Sequence, residues 1–256
     1  MQRLELRRTR RKSLSSYIIF TCLIIFLFLN TFYQDGFLTQ ADKTDALKDY
    51  VEEEKKTFQH CMEEYESSKR KKFELGKSVW IDEGGVRLIC SILSSDMSVL
   101  EYGAGGSTTM FSRFVKSWLS VEHNSWWADT VNHILASQGL GHKTRVVTVP
   151  PDLPYNDSLP LPKRGDGSVE QFHSYINYPS GQYDLIIDDG RARVAVSQAA
   201  LDKKLLKSKN SFLVVHDWER KMYKTIVSKI EYRIMREDLT SRRHLAVLQP
   251  PESYKP

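Results

Sequence analysis

The chain has 256 residues, 41% of them hydrophobic and 27% charged, with a formal net charge of +5. Arg3, Arg7, Arg8, Arg10, Arg11 and Lys12, set against Glu5 alone, carry a net +5, so the remainder is close to neutral. The high pI therefore belongs to a tail and says nothing for nucleic-acid binding by the folded part, for which no nucleic acid is expected as a partner. Three cysteines, Cys22, Cys61 and Cys90, are too few for a disulfide scaffold, so the body must rely on its core.

Behind the basic tail (residues 1–16), Tyr17 to Tyr33 is apolar except for Thr21, Asn30 and Thr31. Its roughly 17 residues are near the lower limit for a spanning helix. Phe32 and Tyr33 suit the membrane interface. Tyr33-Gln34-Asp35 is a poor signal-cleavage site, which favours an anchor over a removed signal peptide. The basic flank comes first and Asp35, Asp42 and Asp45 follow. The positive-inside rule then predicts a cytosolic N-terminus and a luminal body, a type II membrane protein of the Golgi or ER. The sequon Asn156-Asp157-Ser158 suits that placement.

Residues 34–78 read as a charged helical stem. Leu47, Val51, Phe58, Cys61 and Tyr65 form a short, imperfect heptad seam, broken at Glu54. A solvated helix resting on the body is the favoured reading, and a homodimer through the stem the other. Gly76 is a plausible end to it. The body is expected over 79–256, enough chain for one domain.

Within the body, Asp82 can cap a helix running to about Leu93, and Ser98 to Glu101 ends a buried strand. A glycine-rich turn follows at Gly103, Gly105 and Gly106, and then a helix over Thr108 to Val115. A second strand covers Ser117 to Glu122, and a helix from Ser125 carries Trp127, Val131, Ile134 and Leu135 on one face. Thr144 to Val149 is a third strand. From Pro150 to Gln182 no period is visible, and Pro150, Pro151, Pro154, Pro160, Pro162 and Pro179 mark a long binding loop or lid. Strands at Tyr183–Asp188 and Ser211–His216 are each followed by a helix, over Ala192–Leu206 and Trp218–Ile230. Tyr232–Glu237 and His244–Leu248 close the chain as an antiparallel pair. The alternation predicts an α/β fold with a mostly parallel sheet and right-handed crossovers.

Such sheets bind ligands beyond the carboxyl ends of their strands. The conspicuous polar residues lie there: Glu101, Glu122-His123-Asn124, Asp188-Asp189-Gly190-Arg191 and His216-Asp217-Trp218. Strand ends also precede helices, so Asp189 and Asp217 can equally be helix caps. Trp126 and Trp127 are more simply packing and helix-start residues than adenine contacts. The turn fails the dinucleotide pattern G-x-G-x-x-G, because Thr108 holds the third glycine position. With no Tyr-x-x-x-Lys pair in the 79–256 body either, a membrane-tethered NAD-dependent enzyme is disfavoured.

The turn "EYGAGGS", followed by "SVEHNSWW", "YDLIIDDGRARVAVSQAAL" and "FLVVHDWERKMY", resembles a class I S-adenosylmethionine (SAM) dependent methyltransferase domain across about Trp80 to Pro250. Within that superfamily it is similar to the branch that includes sugar O-methyltransferases, and more distantly to plant Golgi glucuronoxylan methyltransferases. The resemblance implies a Rossmann-like fold. It also implies that Glu101, Gly103, Gly105 and Ser107 hold the methionine part of SAM, that Glu122 binds its ribose, and that Asp188 or Asp189 faces the methyl group. A sugar hydroxyl needs help to lose its proton. Asp189, His216 and Asp217 are the candidates, as base or as ligands of a divalent metal. Arg191 and Arg193 could bind an acidic acceptor, although pairing with local acids is the plainer reading. The expected partners are a glycan or small hydroxylated acceptor and the membrane. A catalytically inactive methyltransferase-like domain that binds glycans or proteins is the alternative.

Overall fold

The computed structural model describes residues 40–69, 78–156, 165–240 and 242–256. The basic tail, the apolar segment Tyr17–Tyr33 and Gly76 lie outside the described residues, as do the last two residues of the Asn156 sequon. No helix among the described residues is long and apolar enough to cross a membrane. The chain divides into two compact units, Met1–Gln59 and His60–Pro256. Helix α1 (Gln40–Lys69) runs from the first into the second.

In the second unit, Cys61, Met62 and Tyr65 of α1 are buried. A disulfide joins Cys61 to Cys90, the last residue of α2 (Glu83–Cys90), with a Cα–Cα distance of 5.8 Å. Two of the three cysteines therefore add one covalent tie to a body held mainly by its core. Helix α2 ends before Leu93, and Asp82 stands at its N-cap without a side-chain cap bond. Its Oδ2 accepts instead from the Arg243 N–H at 3.1 Å.

The remaining elements are β1 (Ser98–Tyr102), α3 (Gly106–Phe111), β2 (Ser117–Glu122), α4 (Ser125–Ser137), β3 (Thr144–Thr148), α5 (His173–Asn177), β4 (Leu185–Asp188), α6 (Arg193–Asp202), β5 (Phe212–His216), α7 (Thr225–Ser228), β6 (Arg233–Asp238) and β7 (Leu245–Gln249). The seven strands form one sheet in the order β3-β2-β1-β4-β5-β7-β6. The pairs β1/β2, β1/β4, β2/β3 and β4/β5 are parallel, whereas β7 runs antiparallel to both neighbours. This is the Rossmann-like methyltransferase fold, with the expected C-terminal antiparallel pair.

The middle strands are buried on both sides, as their continuous apolar runs require. Leu100, Ile186, Leu213, Val215 and Leu248 join one large core cluster, and Ala128, Val131, Leu135 and Val146 form a second beneath α4. The Asn124 side chain caps α4 by accepting from the Trp127 N–H at 3.0 Å, and Gly139, with φ +72°, follows its end.

Three helices differ from the sequence expectation. The one after the glycine turn begins at Gly106 and gives way to a 3-10 turn at Ser112–Phe114. The one expected over Ala192–Leu206 ends at Asp202. The one expected over Trp218–Ile230 is broken into a 3-10 turn at Lys221–Lys224 and the short α7. Asp217 takes a left-handed backbone, φ +55°, and the Arg220 N–H bonds back to its carbonyl at 3.0 Å, which tightens the chain before an α-helix can start.

The long loop after β3 is also more ordered than its prolines suggested. It contains α5, and Phe172 and Tyr175 are fully buried. The Tyr102 hydroxyl donates to the Ile176 carbonyl at 3.0 Å, tying the loop to the end of β1.

Candidate active site at the strand ends

The glycine turn after β1 is built around Glu101, which is 1% exposed. Its carboxyl oxygens accept from the Ser107, Thr108 and Ser120 hydroxyls at 2.5, 2.5 and 2.6 Å and from the Trp118 indole N–H at 3.1 Å. Burial pushes its pKa up to about 7 against the opposing pull of those donors. Glu101 and Ser107, both expected at the cofactor, are thus bonded to each other, and Glu101 holds the turn from behind.

Gly103 has φ +85°, and a Cβ there would lie 3.0 Å from the Asp189 carbonyl oxygen. A Cβ on Gly190 would meet the Tyr175 hydroxyl and the Gly103 nitrogen. The turns after β1 and β4 therefore touch backbone to backbone, which only glycine at both positions allows. Gly105 is less constrained, since a Cβ there would only brush the Trp127 ring at 3.7 Å.

Glu122 ends β2 and ties that strand to the same turn. It accepts from the backbone N–H groups of Ala104, His123 and Asn124 at 3.0, 2.9 and 2.9 Å. The Trp127 indole donates to the Ala104 carbonyl at 2.6 Å, so Trp127 roofs the turn, while Trp126 is exposed.

Asp188, at the end of β4, is fully buried, and neither carboxyl oxygen has a hydrogen-bond partner among the described residues. The Gly190 N–H favours its charged form without meeting hydrogen-bond geometry. Burial raises its pKa well above the carboxylate range, with Arg193 pulling the other way. Such an orphaned acid asks for a cationic or donor partner.

Asp189, His216 and Asp217 converge from the ends of β4 and β5. His216 Nδ1 lies 2.9 Å from Asp189 Oδ1 and 3.9 Å from Asp217 Oδ1. Nε2 of His216 is buried with no partner among the described residues. Burial lowers the His216 pKa, but Asp189 and Asp217 outweigh it, and the net shift is upward. Burial would raise the Asp189 pKa, yet His216 and Arg193 hold it well below the usual range.

Arg193 is 3% exposed and sits among acids. Its Nη2 is 3.2 Å from Asp189 and 3.4 Å from Asp217, its Nη1 donates to the His216 carbonyl at 2.6 Å, and its Nε lies 3.9 Å from Asp166. Arg220 holds Asp217 Oδ2 at 2.7 Å. Of the two arginines considered for an acidic acceptor, Arg193 is therefore spent on structure, and Arg191 lies over the Tyr155 ring at 5.6 Å.

The ligating atoms of Asp189, His216 and Asp217 lie within 4.8 Å of one another. Two guanidinium groups already neutralise the two carboxylates, so a divalent cation would have to displace them. As arranged, the donor set does not fit a resident metal.

Neither acid caps the helix that follows it. Ala192 is the N-cap residue of α6. Asp166 does the capping work from the loop, accepting the Arg193 N–H at 2.8 Å and the Tyr223 hydroxyl at 2.9 Å. The sequence reading missed Asp166, Tyr175 and Tyr223. Gly165 and Gly167 flanking Asp166 were the signal for the first, since both have positive φ.

No protein-family model matches the chain, and no curated protein matches it. Among solved structures it is similar to a conserved hypothetical protein from Streptococcus pyogenes, with 16% identity over 68% of this chain and 98% of that one, TM-score 0.48. It is also similar to a methyltransferase-like protein from Silicibacter pomeroyi, with 24% identity, 61% and 81% coverage and TM-score 0.45. A third is an rRNA methylase from Streptococcus thermophilus, with 12% identity, 63% and 90% coverage and TM-score 0.42. The fold assignment rests on the strand order and register of this chain's own sheet.

Proposed function

We propose that this domain is a SAM-dependent methyltransferase that transfers a methyl group to a hydroxyl of a sugar or glycan. The observation that carries the reading is the Asp189–His216 pair, with Nδ1 bonded to the carboxylate and Nε2 left without a partner. A hydroxyl is a poor nucleophile at neutral pH, and an imidazole oriented by a carboxylate can take its proton at Nε2.

SAM, when bound, supplies an electrophilic methyl group. The turn around Gly103 and Gly105, with Glu122 and Asp188, would hold it. Asp188 supports this best, because a fully buried acid without a hydrogen-bond partner would be drawn to its ionised form by the cationic end of such a ligand. Asp189 orients the His216 ring and stabilises its protonated form. Arg193 keeps Asp189 ionised and fixes the backbone at His216.

A luminal body on a Tyr17–Tyr33 anchor completes the proposal. The Cys61–Cys90 disulfide supports it, because such bonds persist in oxidising compartments. Protease treatment of intact microsomes should spare everything after the anchor, and digestion of the body would reverse the topology.

The second reading is a methyltransferase-like domain that binds glycans or proteins without turnover. The near-complete burial of Asp188 and His216 favours it. Titration of the full-length chain with SAM and S-adenosylhomocysteine separates the two, and glycans from cells with and without the protein are then compared by mass for a methyl shift. Gly103→Val is a poor probe of binding, since it also forces strain at φ +85°. Asp188→Asn is the cleaner variant, and unchanged cofactor affinity in it would remove Asp188 from the cofactor site.

A further inference from the structure

The turn between β4 and α6, Gly190 to Arg193, is gripped from two sides by the loop that follows β3. On one side the Asp166 carbonyl accepts the Ala192 N–H at 2.7 Å, and its Oδ2 accepts the Arg193 N–H at 2.8 Å. On the other, the Tyr175 hydroxyl of α5 lies so close to Gly190 that a Cβ there would overlap it. Between the two grips the loop is closed on itself. The Ser168 N–H donates to the Gln171 side chain at 3.0 Å, and the Phe172 N–H to the Ser168 carbonyl at 3.1 Å. The Gln171 amide and the Ser174 N–H tie this stretch to Pro154 and Asp152 at 2.9 and 2.7 Å.

Inside this grip Ala192 is buried and takes a left-handed backbone, φ +52° and ψ +38°. A residue with a Cβ keeps that conformation only where its surroundings impose it. Here Asp166 imposes it, through bonds to two consecutive N–H groups. The consequence falls on the next side chain. The Arg193 guanidinium is directed onto the His216 carbonyl and the Asp189 carboxylate, the two groups that set the imidazole in place. Asp166 Oδ1 takes the Tyr223 hydroxyl at 2.9 Å, and the Tyr223 ring lies 5.3 Å from the same guanidinium. Asp189, held ionised, can only accept, so the His216 Nδ1 that meets it carries a proton.

We propose that Asp166 is a positioning residue for His216, acting through Arg193, so that the loop after β3 is part of the working site. What the turn needs is an acceptor at the place of Oδ2, on a side chain of this length; the charge of Asp166 is secondary. A base works only while its ring stays aligned, so a shift of Arg193 reaches the chemistry without Asp166 touching a reactant. The bearing on methyl transfer rests on the methyltransferase reading, whereas the orientation of His216 does not.

The test uses the full-length chain, isotope-labelled at histidine, and reads the His216 Nδ1 proton by NMR. Its signal is the one that disappears in His216→Gln, and in the wild type it should be shifted downfield and slow to exchange. Asp166→Asn keeps the acceptor and should retain the signal, since the Tyr223 oxygen can turn to accept from the new amide. Asp166→Ala should lose it. Asp166→Glu keeps the charge on a longer side chain and should also lose it, which covers the case of an alanine variant that does not fold. Urea unfolding confirms that each variant is folded, and SAM affinity should stay unchanged in all of them. An intact Nδ1 signal in folded Asp166→Glu or Asp166→Ala, its loss in Asp166→Asn, or its absence from the wild type would each overturn the proposal. Loss of SAM affinity in folded Asp166→Glu would do the same, by moving Asp166 to the cofactor site. The expected signals in a chain that binds no SAM would uphold the positioning role and remove only the methyltransferase reading.

Discussion

His216 Nδ1 and Asp189 Oδ1 meet at 2.9 Å across the ends of two adjacent parallel strands, and the other ring nitrogen is left without a partner. A general base must be neutral to act, and Asp189 raises the His216 pKa against the effect of burial. Methyl transfer should therefore rise with pH through a midpoint above the ordinary histidine value of about 6.5. Asp189→Asn removes the larger upward pull and leaves Asp217 alone against burial, so the midpoint should move to lower pH while the maximal rate falls. His216→Ala should lower turnover by about 10²–10⁴-fold with SAM affinity nearly unchanged. A pH–rate profile of the three proteins checks this, and full activity in both variants would leave the pair a structural one.

Arg193 compensates several acids in a nearly dry site. Arg193→Ala should cost about 3–5 kcal/mol, because it strands Asp189 and Asp217 without their shared cation. Arg193→Lys should recover only part of that, since one ammonium cannot also reproduce the bonds to the His216 and Gly190 carbonyls. Urea unfolding of the three proteins gives the comparison.

Glu101 predicts a pH dependence of stability with a definite sign. Its folded pKa, about 7, is above the unfolded value of 4.5. The folded state then binds the extra proton between those values. Its contribution is fully present below about pH 4.5 and is lost as pH rises through 7, a change of a few kcal/mol. Glu101→Gln should flatten that part of the profile. Parallel curves for wild type and variant between pH 4.5 and 7 would count against a proton on Glu101.

Cys61 and Cys90 are separated by 29 residues in sequence. Closing a loop of that size restricts the unfolded chain by about 3–4 kcal/mol. Cys61→Ser, or reduction of the wild type, should lower stability by that order.

Chelators should leave both stability and turnover unchanged, because Arg193 and Arg220 already balance the acids a cation would need. Loss of activity on chelation, with recovery on adding a divalent ion, would mean that the guanidinium groups move aside.

The sheet was legible because its strands are short apolar runs ended by polar residues, and apolar run length is a local property. The Asp189, His216 and Asp217 convergence was legible for the same reason, once strand ends were aligned on one edge. What could not be read were the partners. Nothing near Glu101 in sequence marks Trp118 and Ser120 as its donors, which reach it only through parallel pairing of β1 with β2. Arg193 was read as pairing with local acids, but that three of them, Asp189, Asp217 and the loop acid Asp166, would surround a buried guanidinium has no signature in sequence. The break after Trp218 was hidden too, because the left-handed backbone at Asp217 has no apolar signature.

Strand β7 follows β6 in sequence, yet it lies between β5 and β6. During synthesis β6 is made first, and its one sheet partner among the described residues does not yet exist. With the chain available only as far as Thr240, the five parallel strands can assemble but β6 has no β7 to pair with. The stretch from Arg242 to His244, which backs Asp217, is also still missing at that moment. Maturation thus has a late threading step, in which β7 slides into an open edge and completes the chemistry together with the architecture. A chain stalled there would expose the β5 edge to any passing strand, which makes β7 the guard against mispairing.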